Sequence, residues 1–419
     1  MIGVGESGPC GRQTAGSSRS ASAAGRAEQL DGWCGWSGLD LAGLDVEAER
    51  PYWIAISLVP GVGPVGFARI LHRFGSARAA WAGGDALLEE IQRLPDDAAD
   101  GLRRLRRAGA AAVARRVDDA VRAAGGSVLT ALDGGYPPAL RVTDPRPPVL
   151  YLAGDPAAFR LSAVAVVGTR RASGYGRSCA VAVADELARA GVAVVSGLAL
   201  GIDGEAHAAA IDAGGCSIAV VPSPLDRIYP PRHRALAARL VSSGGALVTE
   251  LAPGHQPGRP DFARRNRIIA GLAQATVVVE APDHSGALLT AAAAVQLGRE
   301  VYAIPGPIDA VSSRGCNRLI ADHIASLVTS PAALLPALGL LRVGHAPGSV
   351  ASLSEPEALV LARLLRRPAS VEELLAPTDL TTGAVASALT LLEARGLATS
   401  YGGATFHATL AARRLGRRE

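Results

Sequence analysis

Six short apolar runs, at 163–167, 192–196, 217–221, 246–249, 275–280 and 300–304, each stop against a glycine, a proline or an acid. Runs this short and this uniformly apolar read as strands buried on both faces. The segments between them, such as 174–190 and 203–213, are long enough to be crossover helices. That alternation dictates an α/β fold with an extended Rossmann-like parallel sheet covered on both faces. It also says where to look for a ligand, which in such sheets sits outside the carboxyl ends of the strands near a switch in strand order.

The flanks read differently. From Pro51 to about Gly126 the pattern is helical, and Ser57–Leu71 sets a glycine turn between two short apolar helices. This resembles a helix-hairpin-helix, in which free N–H groups at a helix start face phosphate. A plain corner between two helices fits the same residues. The arginine-rich stretch Leu102–Arg107 has the composition of a DNA contact, but Asp100, Asp118 and Asp119 flank it and favour a solvated face. The expected layout is a disordered tail over 1–47, a helical domain over 48–135, the Rossmann-like domain over 136–330, a linker over 331–353 and a winged helix over 354–410. In the tail, Trp33 and Trp36 hint at a docking motif. The second long helix of the winged domain, Thr382–Glu393, holds no arginine, which favours a partner-binding or accessory role over DNA reading.

All 42 basic residues are arginine, and against 38 acids they leave a net charge of +4, too small to argue for nucleic acid by itself. Distribution says more. Residues 226–270 hold eight arginines against three acids, an excess that outweighs the charge of the whole chain. The five cysteines are scattered with no CxxC pair, so neither a zinc site nor a disulfide framework is expected, and Cys179 and Cys216 read as inert core residues. No apolar run approaches the roughly 18 residues of a membrane helix, and no signal pattern opens the chain, so a cytoplasmic protein that contacts no membrane is expected.

Four loops at strand ends carry glycine: Gly168-Thr169-Arg170-Arg171, Ser196-Gly197 through Gly201, Pro222-Ser223-Pro224, and Ser285-Gly286 through Thr290. Their free amides and hydroxyls make anion sites. A dinucleotide site is disfavoured, because the first turn is not GxGxxG and the second strand ends in Ser196 rather than an acid. A P-loop is excluded by the absence of lysine. The segment Arg264-Arg265-Asn266-Arg267 supplies forked guanidiniums suited to phosphate oxygens. Phe262 beside it fits either a stacking surface for an unpaired base or a core residue.

At these residues the chain resembles the DNA-processing protein A family (DprA, also called Smf). The resemblance lies in Gly168–Gly176, Val195–Asp203 with His207, Leu225–Pro231, Thr249-Glu250, Arg264–Leu272, Val278–Ala281, Ser285–Ala291, Pro305–Ile308 and Arg314–Ile320. It implies a single-stranded DNA-binding protein without a cofactor, a homodimer through its Rossmann-like domain, which loads the RecA recombinase during DNA uptake, transformation and recombination. It also implies that Arg170, the Arg264–Arg267 cluster and Arg232 or Arg234 hold phosphates. Ala263 departs from the family pattern, in which proline often precedes the arginine pair. The competing reading is an enzyme, a nucleotide phosphoribohydrolase on a similar fold. Those enzymes carry a glutamate where this chain has Ser285–Thr290 followed by Ala291–Ala294, so a non-enzymatic binder is expected.

Overall fold

The computed structural model describes residues 35–340, apart from 37, 42, 92 and 93, and residues 353–408, apart from 367–368, 377–379, 395–396 and 402–404. Within the first span lie nine strands: β1 (Gly126–Thr130), β2 (Val149–Gly154), β3 (Ala163–Val167), β4 (Ala193–Ser196), β5 (Ser217–Val220), β6 (Ala246–Thr249), β7 (Ala275–Val278), β8 (Glu300–Ala303) and β9 (Ser326–Leu327). They form one sheet in the order β1-β2-β6-β5-β4-β3-β7-β8-β9. The six runs read from the sequence are β3 to β8, and they pair in parallel. The sheet is nevertheless not purely parallel, because β2 runs antiparallel to both β1 and β6. The edge strand β1 shows a mixed burial pattern instead of a continuous apolar run, and β9 has two residues, so neither stands out in the sequence. Since β1 belongs to the sheet, the helical domain ends before the expected boundary at 135.

Helices cover both faces. On one face, Gly174–Arg189 and Ile202–Asp212 bury Val183, Leu187, Ile202 and Ala206 against Val164, Val166, Val194 and Val277. On the other, Leu240 of helix Arg234–Ser242 packs with Tyr151, Ala219 and Leu247, and Ile54, Ala114 and Val121 of the helical domain enter the same core. The helical domain is therefore built onto the sheet through apolar contact. Its first helix, Val46–Ser57, is capped by Asp45, which accepts from the N–H groups of Glu47 and Ala48. A turn with Gly61 at φ 84° leads into Pro64–Phe74, giving the helix–turn–helix arrangement expected for Ser57–Leu71.

Two further expectations need correction. Trp36 does not belong to a loose tail. It is buried, its ring stacks on Phe67 with centroids 6.0 Å apart, and its Nε1 donates to Pro64 O at 3.2 Å. The aromatic area it hides outweighs the entropy of ordering a glycine-rich segment. Trp33 and the rest of the tail to residue 34 lie outside the described residues. The expected linker also begins with a helix, Pro331–Ala337, capped by Ser330, whose Leu334 and Leu335 are buried with the sheet core; residues 341–352 lie outside the described span. The C-terminal part has helices Glu355–Arg366, Val371–Leu375 and Thr382–Ala394, with a small sheet ordered β10-β12-β11, where β10 is Ala369–Ser370, β11 is Ala398–Tyr401 and β12 is Thr405–Ala408. That is a winged helix with its own core around Leu361, Leu364, Leu389 and Leu392. Among the described residues no helix is long and apolar enough to cross a membrane.

Truncating Trp36 to alanine is expected to cost about 3–5 kcal/mol, the usual range for a large buried aromatic. Denaturant unfolding of the full chain measures it, and a change below about 0.5 kcal/mol would show that the segment packs loosely.

Candidate nucleic-acid interface

β3 and β7 lie side by side, yet the chain leaves β3 towards β4 and leaves β7 towards β8, in opposite directions across the sheet. The loops after these strands must diverge, and the gap between them is the crevice such sheets use for ligands. It is a cleft of about 480 Å³. Gly168, Thr169, Arg170 and Arg171 line one side, Ser285, Gly286 and Thr290 the other, and Arg259, Phe262, Arg265 and Asn266 the back. The back wall is the helix Arg259–Leu272, which has Pro260 and Asp261 in its first turn.

Within the arginine cluster the structure separates supports from free charges. Arg265 is buried, and its Nη1 donates to Gly197 O at 2.5 Å and Val220 O at 2.6 Å. Burial pushes its pKa down to about 10, against the pull of Asp203, so the cation persists at neutral pH beneath the cleft. Asn266 accepts from Arg265 Nε at 3.2 Å and donates to Gly286 O at 3.3 Å, bracing the helix start opposite. Arg267 is paired with Glu250 and donates to Pro145 O at 2.8 Å. By contrast Arg170, Arg171 and Arg259 are exposed and have no acidic partner among the described residues. The Arg170 guanidinium lies 5.1 Å above the Phe262 ring, and Tyr229 meets that ring edge-on at 5.7 Å. These three residues border a side pocket of about 60 Å³ that opens beside the cleft.

The loop after β4 is held rigid although it carries no free charge. Asp203 Oδ2 accepts from the N–H groups of Gly197 at 3.2 Å and Ala199 at 3.3 Å. Burial raises the Asp203 pKa, while the Arg265 cation and those N–H groups oppose the rise. Leu198 adopts φ 57°, a left-handed conformation a leucine avoids without support. Its N–H donates to His207 Nε2 at 3.3 Å and its carbonyl faces His233 Nδ1 at 2.9 Å. The other ring nitrogen of His207 lies 2.7 Å from Ser217 Oγ, which itself donates to Val194 O, so Nδ1 carries the hydrogen. Gly197 is required by proximity, since a Cβ there would come 2.1 Å from Arg265 Nη1. Gly201 is required by its φ of 78° and by the Thr169 carbonyl, which a Cβ would approach to 2.4 Å.

The first and last glycine loops and the arginine helix therefore meet in one cleft. Ser196, Gly197 and Gly201 stand behind it, with Ser196 Oγ donating to Val166 O inside the sheet. Arg264 lines a different groove, facing the helical domain. Arg232 and Arg234 are exposed on the turn Pro231–His233 and at the start of the next helix, outside the cleft lining. Arg259, His284 and Tyr229 join the lining of the cleft or its side pocket although sequence reasoning assigned them no role. Arg259 was visible as part of the arginine-rich segment; nothing in the sequence marked Tyr229 as a neighbour of Phe262.

Fold and cleft together define a Rossmann-like protein with a cationic site at its switch point, flanked by a helical domain and a winged helix. A profile described as DNA recombination-mediator protein A matches residues 127–339, and one described as DprA winged helix domain matches 344–404. The chain belongs to this family, the DprA/Smf proteins. It is similar to Protein Smf of Synechocystis, 30% identical over 401 residues that cover 85% of this chain and 98% of that protein. Against Protein Smf of Escherichia coli the identity is 45% over 214 residues, covering 51% of this chain but 57% of the relative's length. The solved structure of DprA from Streptococcus pneumoniae superposes with a TM-score of 0.59 at 31% identity, covering 68% of this chain and 97% of that one.

His207 gives the site a pH limit. Burial, and then the electrostatic influence of neighbouring His233 and Arg265, push its pKa down to about 3. Above the unfolded value near 6.5 both states are neutral there and pH has no effect; below it only the unfolded chain gains the proton. Stability is therefore expected to fall by about 1.4 kcal/mol per pH unit between roughly pH 6 and 5. Unfolding measured across that window should lose this slope in His207→Gln, and an unchanged slope would assign it to other groups.

Proposed function

We propose that this protein binds single-stranded DNA in the switch-point cleft and delivers the strand to a RecA-type recombinase during recombination and DNA uptake. The observation that carries the reading is the set of guanidiniums of Arg170, Arg171 and Arg259, without acidic partners among the described residues, around a half-buried ring at Phe262 that faces the cleft. Guanidiniums hold phosphates, and an accessible ring stacks a base that has no pairing partner. A duplex keeps its bases inside the stack, so this combination favours single strands. In this reading Arg265, Asn266 and Arg267 support the site, and Gly168, Thr169, Ser285, Gly286 and Thr290 shape its anion-facing walls. Delivery to a recombinase draws support from the mediator description of the matching profile.

Binding is favoured over catalysis because the acids around the cleft and the buried His207 already have structural partners. Asp203 holds two N–H groups, Glu280 accepts from Ser173 N–H at 2.8 Å, and His207 braces Leu198. Pairing of two copies fits the exposed Leu289, Val295, Ile324 and Leu327 on and beside the β7–β9 end of the sheet. A dimer would present two clefts to one strand and raise the effective concentration of the second contact.

Fluorescence anisotropy with an oligothymidine should show binding that weakens with salt at a log–log slope of about −0.7 per phosphate contacted. Arg170→Ala is expected to lose about ten- to a hundredfold in affinity, or 1.5–3 kcal/mol, with its melting temperature unchanged. Arg265→Ala should instead destabilise the fold by about 3–5 kcal/mol, because it strands buried partners. A flat salt titration, or tighter binding to duplex, would refute the reading. Light scattering at micromolar concentration is expected to give twice the monomer mass, and a strict monomer would remove the dimer from it.

A further inference from the structure

We infer that the bound strand continues beyond the cleft, over Arg264 and the glycine turn of the helical domain, onto the face of helix Ala98–Ala108 that carries Arg104 and Arg107. This rests on the single-strand reading above and extends it to a second contact surface.

The starting point is Arg264, a member of the arginine cluster that the cleft does not use. Its neighbour Ala263 lines the cleft, while Arg264 lines a separate groove of about 340 Å³ between the turn Pro60–Val62 and the segment after β6. The other charges around that groove are already engaged. Glu250 is paired with Arg267, and Asp261 Oδ2 accepts from Gly258 N–H at 2.8 Å and faces His255 at 3.0 Å. Arg264 keeps one long contact of 3.9 Å to Asp261 Oδ1 and is about half exposed. A Cβ placed on Gly63 would lie 3.9 Å from Arg264 Nη2, so this guanidinium reaches the glycine turn itself.

On the opposite flank of the turn stands Arg104. Gly101 packs against Pro60 so tightly that a Cβ would come within 2.7 Å of the proline Cδ, and the same point lies 3.8 Å from Arg104 Nη2. Pro60 and Gly63 are three residues apart, so their Cα atoms are separated by at most about 11 Å. Arg107, three residues after Arg104, shares its helix face. The acids near this stretch have partners other than Arg104 and Arg107. Asp85 and Asp100 pair with Arg103, Asp118 with Arg50 and Asp119 with Arg122. Arg104 and Arg107 are exposed and carry no ion pair among the described residues, with Asp96 and Asp97 at the far, N-terminal end of the helix. Cleft, Arg264, the uncharged glycine turn and Arg104 thus follow one another, with a guanidinium at each end of the turn. The cleft alone holds few nucleotides, whereas a flexible polyanion that leaves it past Ala263 meets this path next.

The test uses the full chain and two oligothymidines, of roughly 6 and 24 nucleotides, shorter and longer than a single binding site. Arg104→Ala with Arg107→Ala is expected to leave the short strand's affinity unchanged. It should weaken the long strand about tenfold and reduce its salt slope by about 1.4, two phosphates' worth. Restoring charge with Arg104→Lys and Arg107→Lys should recover most of the loss. In the wild type, 4-thiothymidine placed near the end of the long strand should photo-cross-link within 57–63 or 98–108. The proposal is overturned if the alanine pair binds both lengths as the wild type does, if it loses equally on both, or if no adduct forms in those segments. Failure of the wild type to bind either strand would instead overturn the single-strand reading itself.

Discussion

The Arg265 guanidinium lies beneath the cleft with Nη1 shared between Gly197 O at 2.5 Å and Val220 O at 2.6 Å. It thereby holds the carboxyl ends of β4 and β5 against the helix that forms the back wall. A buried cation is costly unless it is hydrogen-bonded and faces an opposite charge, and here two carbonyls, Asn266 and Asp203 meet those conditions. The remaining geometry depends on this arrangement. Asp203 is positioned to hold the Gly197–Ala199 amides, which fixes Leu198 in its unusual conformation. Gly201 can then lie under Thr169 and set the turn that presents Arg170. The buried cation also adds positive potential to the cleft without offering a contact of its own, so support and attraction reside in one group.

Much of this was legible in the sequence, and the limits have physical causes. The parallel strands β3 to β8 show as runs because both faces are covered. β1 escaped because an edge strand alternates, and Trp36 because a lone aromatic in a glycine-rich stretch has no periodicity from which to predict its partner Phe67. In the cluster Arg264–Arg267 the sequence marked the right helix but could not tell which guanidinium points where. Successive helix positions are turned by about 100°, so neighbours in sequence face different surroundings. Arg265 falls under the sheet ends, Arg267 against Glu250, and Arg264 towards the helical domain. Arg232 and Arg234 show the converse case, in which a cationic stretch near the site in sequence sits outside the cleft in space.

The same reasoning applies to the acids around Leu102–Arg107, whose presence in the sequence does not say which arginine each one meets. A tally of signs along the chain treats every acid as available to every base within reach. Side chains pair one at a time, and Asp118 and Asp119 face Arg50 and Arg122 across other surfaces. The exposed Asp119–Arg122 pair contributes little to stability, but each of these pairs removes an acid that would cancel a neighbouring arginine's field. Net charge is therefore less informative than the list of cations left without a partner.

In the proposed single-strand reading, the Arg170–Phe262 stack is the contact that an incoming strand has to displace. In the free protein the guanidinium covers one side of the ring at 5.1 Å, and Tyr229 abuts it edge-on. A cation over a half-buried ring gains about 0.5–2 kcal/mol. A base on the same ring gains about 1–3 kcal/mol, and a guanidinium freed to meet a phosphate gains a charge-assisted hydrogen bond of about 1.5–3 kcal/mol. Exchange is thus favourable on both counts, and the residue that moves has only to turn from ring to phosphate. The resting contact holds the charge beside the place where a phosphate would arrive. A cleft built in this way needs no backbone rearrangement to bind, which is consistent with the many hydrogen bonds that fix the loop after β4.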